Sequence, residues 1–242
     1  MIFTMEMNDR QKSILRMIVK DYIKYAKPIG SSKLVKRHRM GVCSATVRND
    51  MALLEDLGLI KQYHFSSGRK PTLAGYRYFI DNLMEPKDLP PRFRRRLTMN
   101  VKSVDSSRFT DAVRVLADEM SKMTNNLTVV GLPTGPRVTG LRYLLTHPEF
   151  VDVEMVRHIG HMIDDIDRLL KELRDSHDAE GLKIYLGDEL NYDYAQPLAF
   201  AVRTYRDPFG DRHLIGAVGP ARMDYQLMSP MMDLAVQILE DF

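Results

Sequence analysis

The stretch from Cys43 to Thr72, CSATVRNDMALLEDLGLIKQYHFSSGRKPT, constrains this chain more than any other. Val47, Met51 and Leu54 are spaced four and three apart, so a helix through them has one apolar stripe to hide. Gly58 ends that helix, LIKQYHF alternates as a strand does, and SSGR makes a tight turn. Upstream, Ile14, Leu15, Ile18, Val19, Tyr22 and Ile23 recur at helical spacing behind a cap at Asn8 or Asp9. KPIGS stops that helix, Ser31 or Ser32 caps a short second one, MGVC turns, and Ser44 caps the third. Three helices with a short turn between the last two, then a strand pair, predict a winged helix-turn-helix over residues 1–84.

With its stripe buried, the third helix turns Ala45, Thr46, Arg48, Asn49 and Ala52 outward. Small residues let a helix sink close to base edges, and Arg and Asn suit bidentate contacts with guanine and adenine. Thr46, Arg48 and Asn49 are therefore expected to read bases, with Ala45 keeping the approach close. Ser31, Ser32, Ser44, Arg69 and Lys70 are expected to hold phosphates. Charge supports a polyanionic partner, double-stranded DNA. Residues 1–100 carry 20 Lys and Arg against 9 Asp and Glu, whereas residues 101–242 carry 15 against 23.

EPKDLPPRFRRRLTMN places Pro86, Pro90 and Pro91 in a row, so residues 85–104 read as a linker. Beyond it, helical and strand periodicities mix. SSRFTDAVRVLADEMSKM predicts an amphipathic helix capped by Ser106 or Ser107, and NNLTVVGLP a buried strand. PEFVDVEMVRHIGHMIDDIDRLLKELR predicts one long helix, and LKIYLGDEL a strand. A hairpin turning at Pro208, Phe209 and Gly210 precedes a closing helix. The fold class is α+β, with an antiparallel sheet covered on one face over residues 105–242.

Chemistry is sparse. A single cysteine, Cys43, excludes an internal disulfide and a Cys-built zinc site, and its expected role is buried packing. His158, His161, Asp164 and Asp165 read as a polar helix face rather than a metal site. GLPTGPR lacks the Gly-Lys-Ser/Thr ending of a phosphate loop. No catalytic residue, metal or cofactor is expected, and the chain is not read as an enzyme. The N-terminus lacks a secretory pattern and no apolar run is long enough for a bilayer, so a cytoplasmic location is expected. A metabolite-responsive winged-helix regulator is the alternative reading.

Three segments, DRQKSILRMIVKDYIKYAKPIGSSKLVKRH, SATVRNDMALLEDLGLI and HFSSGRKPTLAGYRYFID, together resemble the heat-inducible transcription repressor HrcA family. YLLTHPEFVDVEMVRHIGHMIDDIDRLLKEL and IGAVGPARMDY are similar to that family's late helix and closing signature. The resemblance implies a homodimeric repressor of chaperone operons that binds an inverted-repeat operator and is released on heat stress. It also implies a GAF-like second domain and dependence on the GroE chaperonin. Only TGPRVT stands between LTVVGLP and GLRYLLTHPEF, where the family usually inserts a dimerising domain, so that domain is expected to be missing, with a sheet strand in doubt. Val156, Ile159, Ile163, Ile166, Leu170 and Leu173 step like a heptad seam and offer a substitute dimer surface, against the alternative that they pack on their own sheet.

Overall fold

The structure is a computed structural model. It describes residues 7–62, 67–85, 87–105, 108–176, 181–196 and 198–241. The chain divides into two compact units, Met1–Glu85 and Pro86–Phe242.

The first unit contains α1 (Asp9–Tyr25), α2 (Ser31–His38), α3 (Ser44–Asp56), β1 (Ile60–Gln62), β2 (Arg69–Pro71) and α4 (Leu73–Tyr78). A π-helical turn, Phe79–Leu83, continues α4. Asn8 caps α1 in a capping box with Gln11, as the sequence predicts. Ile14, Leu15, Ile18 and Val19 are fully buried. β1 and β2 pair antiparallel, Ile60 opposite Pro71 and Gln62 opposite Arg69. The expected turn residue Ser66 lies outside the described residues. Thr72 knots the hairpin to α4: its hydroxyl donates to Gly58 O at 2.6 Å and accepts from Gly75 N at 3.0 Å.

In the second unit, a five-stranded antiparallel sheet has the order β4-β3-β7-β6-β5. The strands are β3 (Leu127–Val130), β4 (Arg137–Thr139), β5 (Lys183–Leu186), β6 (Leu198–Arg206) and β7 (Arg212–Pro220). Leu198, Phe200 and Val202 of β6 join one core with α8 (Val153–Asp164) and α9 (Ile166–Asp175). Ala199 and Ala201 alternate with them, so they face the opposite way, toward α10 (Tyr225–Glu240). α6 (Phe109–Thr124) packs on β3 beside it. Helices therefore cover both faces of the sheet, not one. Small residues make this possible: Ala201 pairs Ala217 and Ala199 pairs Gly219, leaving room for a helix close to the strands.

Three further expectations change. The segment read as a linker holds α5 (Pro91–Lys102), which buries Leu97 and Val101 and packs on α6 and α10. Proline is tolerated at a first helical position, where no helix partner for its N–H is needed, so Pro91 starts α5 rather than breaking it. The long helix predicted after Pro148 is a 3-10 turn, Pro148–Val151, then α8 and α9 divided at Asp165. Of the heptad-like stripe, Ile159, Ile166, Leu170 and Leu173 are buried in this unit's own core, which is the packing alternative to a dimer surface, whereas Val156 is exposed. The short TGPRVT stretch carries β4, which completes the sheet beside β3. Ser106 and Ser107, expected to cap α6, lie outside the described residues.

One polar lock ties the α7 region (α7, Leu141–Leu144) to the turn after β7. Arg222 donates to both carboxylate oxygens of Glu149, at 2.5 and 3.0 Å, and to His147 Nδ1 at 2.9 Å. Arginine can only donate, so Nδ1 accepts and His147 Nε2 carries the proton it gives to Asn125 O at 2.7 Å. The ring is thus held neutral. Burial, with the Arg222 charge, pushes its pKa below the ordinary histidine value.

Two outcomes are expected. Because the folded-state pKa of His147 lies below its unfolded value, protons favour unfolding as pH falls below about 6.5. The melting temperature should therefore drop between about pH 7 and pH 5 more steeply in the natural protein than in His147→Gln. Equal slopes would show that the lock is not titrating. In Gly75→Ala, the added Cβ would sit 1.9 Å from the Leu59 carbonyl oxygen. Alanine normally favours a helix by ~1 kcal/mol over glycine, yet this substitution should destabilise by ~1–3 kcal/mol in urea titration, because backbone cannot move aside cheaply.

Candidate nucleic-acid interface

α3 hides Val47, Met51 and Leu54 completely, as its spacing requires. Ala45, Arg48, Asn49 and Ala52 are exposed on the opposite side. Among the described residues, neither Arg48 nor Asn49 makes a hydrogen bond or ion pair within the chain. Two donor-rich side chains on an outward face, with nothing of their own to hold, remain available to an external partner.

The helix starts differ from the expectation. Cys43, not Ser44, occupies the cap of α3, and Ser44 is its first helical residue. Cys43 is exposed rather than a buried packing residue. Its Sγ lies 3.2 Å from Thr46 Oγ1. That hydroxyl, with the N–H groups of Thr46 and Ala45, holds the thiol pKa below its usual value. Gly30 caps α2 without any side chain to offer, and Ser31 follows as the first helical residue. Ser31 is only 6% exposed, so its hydroxyl does not present itself to a phosphate as expected; Ser32 is exposed.

Two buried carboxylates set the aim of these helices. Asp50, 3% exposed on α3, accepts from Arg10 of α1 through Nε at 2.7 Å and Nη2 at 3.2 Å. This fork–fork geometry fixes the roll of α3 as well as its distance from α1. Asp21 of α1 accepts from Arg37 Nη1 at 2.7 Å and meets His38 Nε2 at 3.2 Å, both on α2. These positioning residues went unread in the sequence. The available signal was Asp50 itself, an acid one residue before Met51 within the apolar stripe.

Glu55 anchors the strand pair. Burial raises its pKa, but hydrogen bonds from Arg69 and Gln62 outweigh that and hold it below the ordinary value. Arg69 Nε donates to Glu55 Oε2 at 2.7 Å, and Gln62 N donates to Oε1 at 2.9 Å. Arg69 also exchanges both backbone hydrogen bonds with Ile29, each 3.0 Å. Gly68 fits there because a Cβ would come within 2.4 Å of Ile29 backbone. The Arg69 guanidinium is therefore committed inside the protein, unlike the free phosphate clamp expected of it. Lys70 is half-buried, its Nζ 5.9 Å from the Tyr22 ring centre.

Among the described residues, no group of three or more His, Cys, Asp or Glu is arranged to hold a metal ion. No helix there is long and apolar enough to cross a membrane.

The family described as "HrcA protein C terminal domain" matches residues 79–228. The chain is 28% identical over 238 residues to the heat-inducible transcription repressor HrcA of Staphylococcus carnosus (strain TM300), covering 96% of this chain and 68% of that protein. It is 40% identical over 186 residues to the repressor of the same name from Nocardia farcinica (strain IFM 10152), covering 74% of this chain and 51% of that one. The chain thus spans between about half and two thirds of these curated relatives. A crystal structure of a hypothetical protein shares the fold, with TM-score 0.77, 17% identity and 98% of each chain covered.

The aiming pair generates a sharp expectation. Arg10→Ala leaves the Asp50 carboxylate buried and unpaired, whereas Arg10→Ala with Asp50→Asn removes that charge too. The single variant should be less stable than the double variant in chemical denaturation. The opposite order would mean that Asp50 is satisfied without Arg10.

Proposed function

From a chain that belongs to the HrcA family, we propose a sequence-specific DNA-binding transcription repressor whose first unit is a winged helix-turn-helix. In this reading α3 enters the major groove start-first, and the strand pair is the wing. Arg48 and Asn49 read bases, Thr46 supports them from the same face, and Ala45 lets the helix approach. Ser32, Ser44 and Lys70 meet phosphates. Arg69 acts through Glu55, setting where the wing stands. The observation that carries the proposal is the pairing of a fully buried stripe, Val47, Met51 and Leu54, with exposed and unengaged Arg48 and Asn49.

The family relationship supports the finer parts of the proposal: chaperone operons as targets, an inverted-repeat operator, a homodimer, release on heating, and dependence on the GroE chaperonin. Two-fold DNA calls for two copies of α3 about one helical turn apart or a multiple of it. Because the stripe on α8 and α9 is spent inside the second unit, the dimer contact belongs to other surfaces. A partner that binds only the active fold raises that fold's population, which is how a chaperonin would set repressor activity.

A gel shift with an inverted-repeat duplex and its half-site, before and after mild heating, tests the whole reading. Preference for the full site that is lost on heating is the expected result; equal binding to half-site and full site would sink the dimeric form. Arg48→Ala should cost ~1–3 kcal/mol on the operator and relax base preference, while Lys70→Ala should weaken all duplexes alike and reduce the salt slope by about one. Equal losses for both variants on operator and scrambled duplex would refute this division of labour.

A further inference from the structure

A cleft of about 470 Å³ opens in the second unit, between α9 and the ends of β3 and β7. Its volume is in the range of small-molecule sites, roughly 300–1,000 Å³. One side is cationic. Arg168, Lys171 and Arg174 recur every third residue along α9, so they share a face and all line the cleft. A single acid, Asp167, also lines it. Lys171 has no hydrogen bond or ion pair among the described residues. Arg174 is paired with its neighbour Asp175 at 3.1 Å; Arg168 is paired with Asp165 at 2.8 Å and also lies over the Tyr192 ring, 5.1 Å from its centre. Exposed pairs of that kind are weak and are readily exchanged for a better anion.

The rest of the lining is apolar: Leu170 of α9 itself, with Leu132 and Leu214 across from it. One polar ring is brought in among these leucines. His213 is held through Nε2 by Asp207 Oδ2 at 3.0 Å, and its ring lines the cleft. The Asp207 side chain is 1% exposed. It is itself fixed by the N–H groups of Phe209 and Asp211, each at 2.9 Å. The hairpin turn thus fixes the orientation of a polar ring at the wall of the cleft before any ligand arrives.

We propose that this cleft binds a small organic oxyanion, a carboxylate or phosphate ester carried on an apolar body. The anionic end meets Lys171 with Arg168 and Arg174, and the body lies on the three leucines. The proposal does not rest on DNA binding, since every residue in it belongs to the second unit.

The probe is 8-anilinonaphthalene-1-sulfonate, an anion with an aromatic body, titrated by fluorescence into the full chain at low salt. Lys171→Glu cancels the net positive charge of the cleft, and Leu132→Trp fills its volume without touching charge. Lys102→Glu makes the same charge change on α5. Melting curves taken alongside keep the comparison among folded proteins. Saturable binding should weaken by about tenfold in both cleft variants and stay within about twofold in Lys102→Glu. Weakening in only one cleft variant, in neither, or equally in Lys102→Glu would overturn the proposal. Octanoate should displace the probe at lower concentration than inorganic phosphate; equal displacement would show that the apolar half of the site is not used.

Discussion

The bidentate pair between Arg10 and Asp50 is the constraint on which the first unit depends. An apolar stripe of three residues fixes which side of α3 faces inward only to within the width of the stripe. A small roll of the helix would still keep that stripe against the core. The fork of Arg10 removes that freedom, because two parallel hydrogen bonds to one carboxylate specify direction as well as distance. Asp21 does the same for α2 through Arg37 and His38. Both carboxylates sit on α-helix surfaces that meet another helix, so each couples two elements rather than decorating one. Arg48 and Asn49 stand where they do because Asp50, their chain neighbour, is held from behind.

The strand pair follows from the same end of α3. Glu55 is in the last turn of the helix, and its two oxygens are taken by Arg69 and by the Gln62 backbone. Helix roll and strand placement are thus connected through one side chain. Ile29 then pairs with Arg69, so the segment just before α2 is sewn to the hairpin. Gly68 and Gly75 mark the two places where backbone runs against backbone too closely for any Cβ. The compactness of this unit comes from these close approaches as much as from its apolar core.

Much of this was legible in the sequence, and the parts that were not share a physical cause. Periodicity read α1, the stripe of α3, the buried β3 and the hairpin at Pro208 to Gly210, because each is set by local spacing and turn chemistry. Cap identity at Ser44 and Ser31 is not legible, because serine at a helix start is common both at the cap and one position inside it, and the backbone angles decide. α5 was hidden by its prolines, which end helices from within but open them at the first position. β4 is only three residues long and owes its existence to β3 beside it, so no local pattern announces it. The division between α8 and α9 at Asp165 carries no glycine or proline, so no local signal announces it. Of the candidate interface, the outward residues could be read by elimination from the buried stripe; Arg10, Asp21 and Glu55 could not, because their partners are distant in the chain.

The same elimination operates on α9. Leu169 and Leu173 are buried to 1% and 3% exposure, which commits one side of the helix to the sheet. Arg168, Lys171 and Arg174 must then emerge on another side, and the break at Asp165 decides where that side points. Were α8 and α9 one straight helix, a single stripe would have to serve both the Ile159–Met162 packing and the sheet. A helix drifts off a seven-residue repeat by about 20° per heptad, so a straight rod turns such a stripe progressively away from the surface it packs on. Restarting the helix at Ile166 resets the phase. It seats the leucines, and it turns three cations toward the end of β7, where the hairpin has already fixed His213. A packing requirement of the core thereby places charge beside an apolar surface, which is the arrangement that α3 also presents, reached there through a buried carboxylate and here through a helix break.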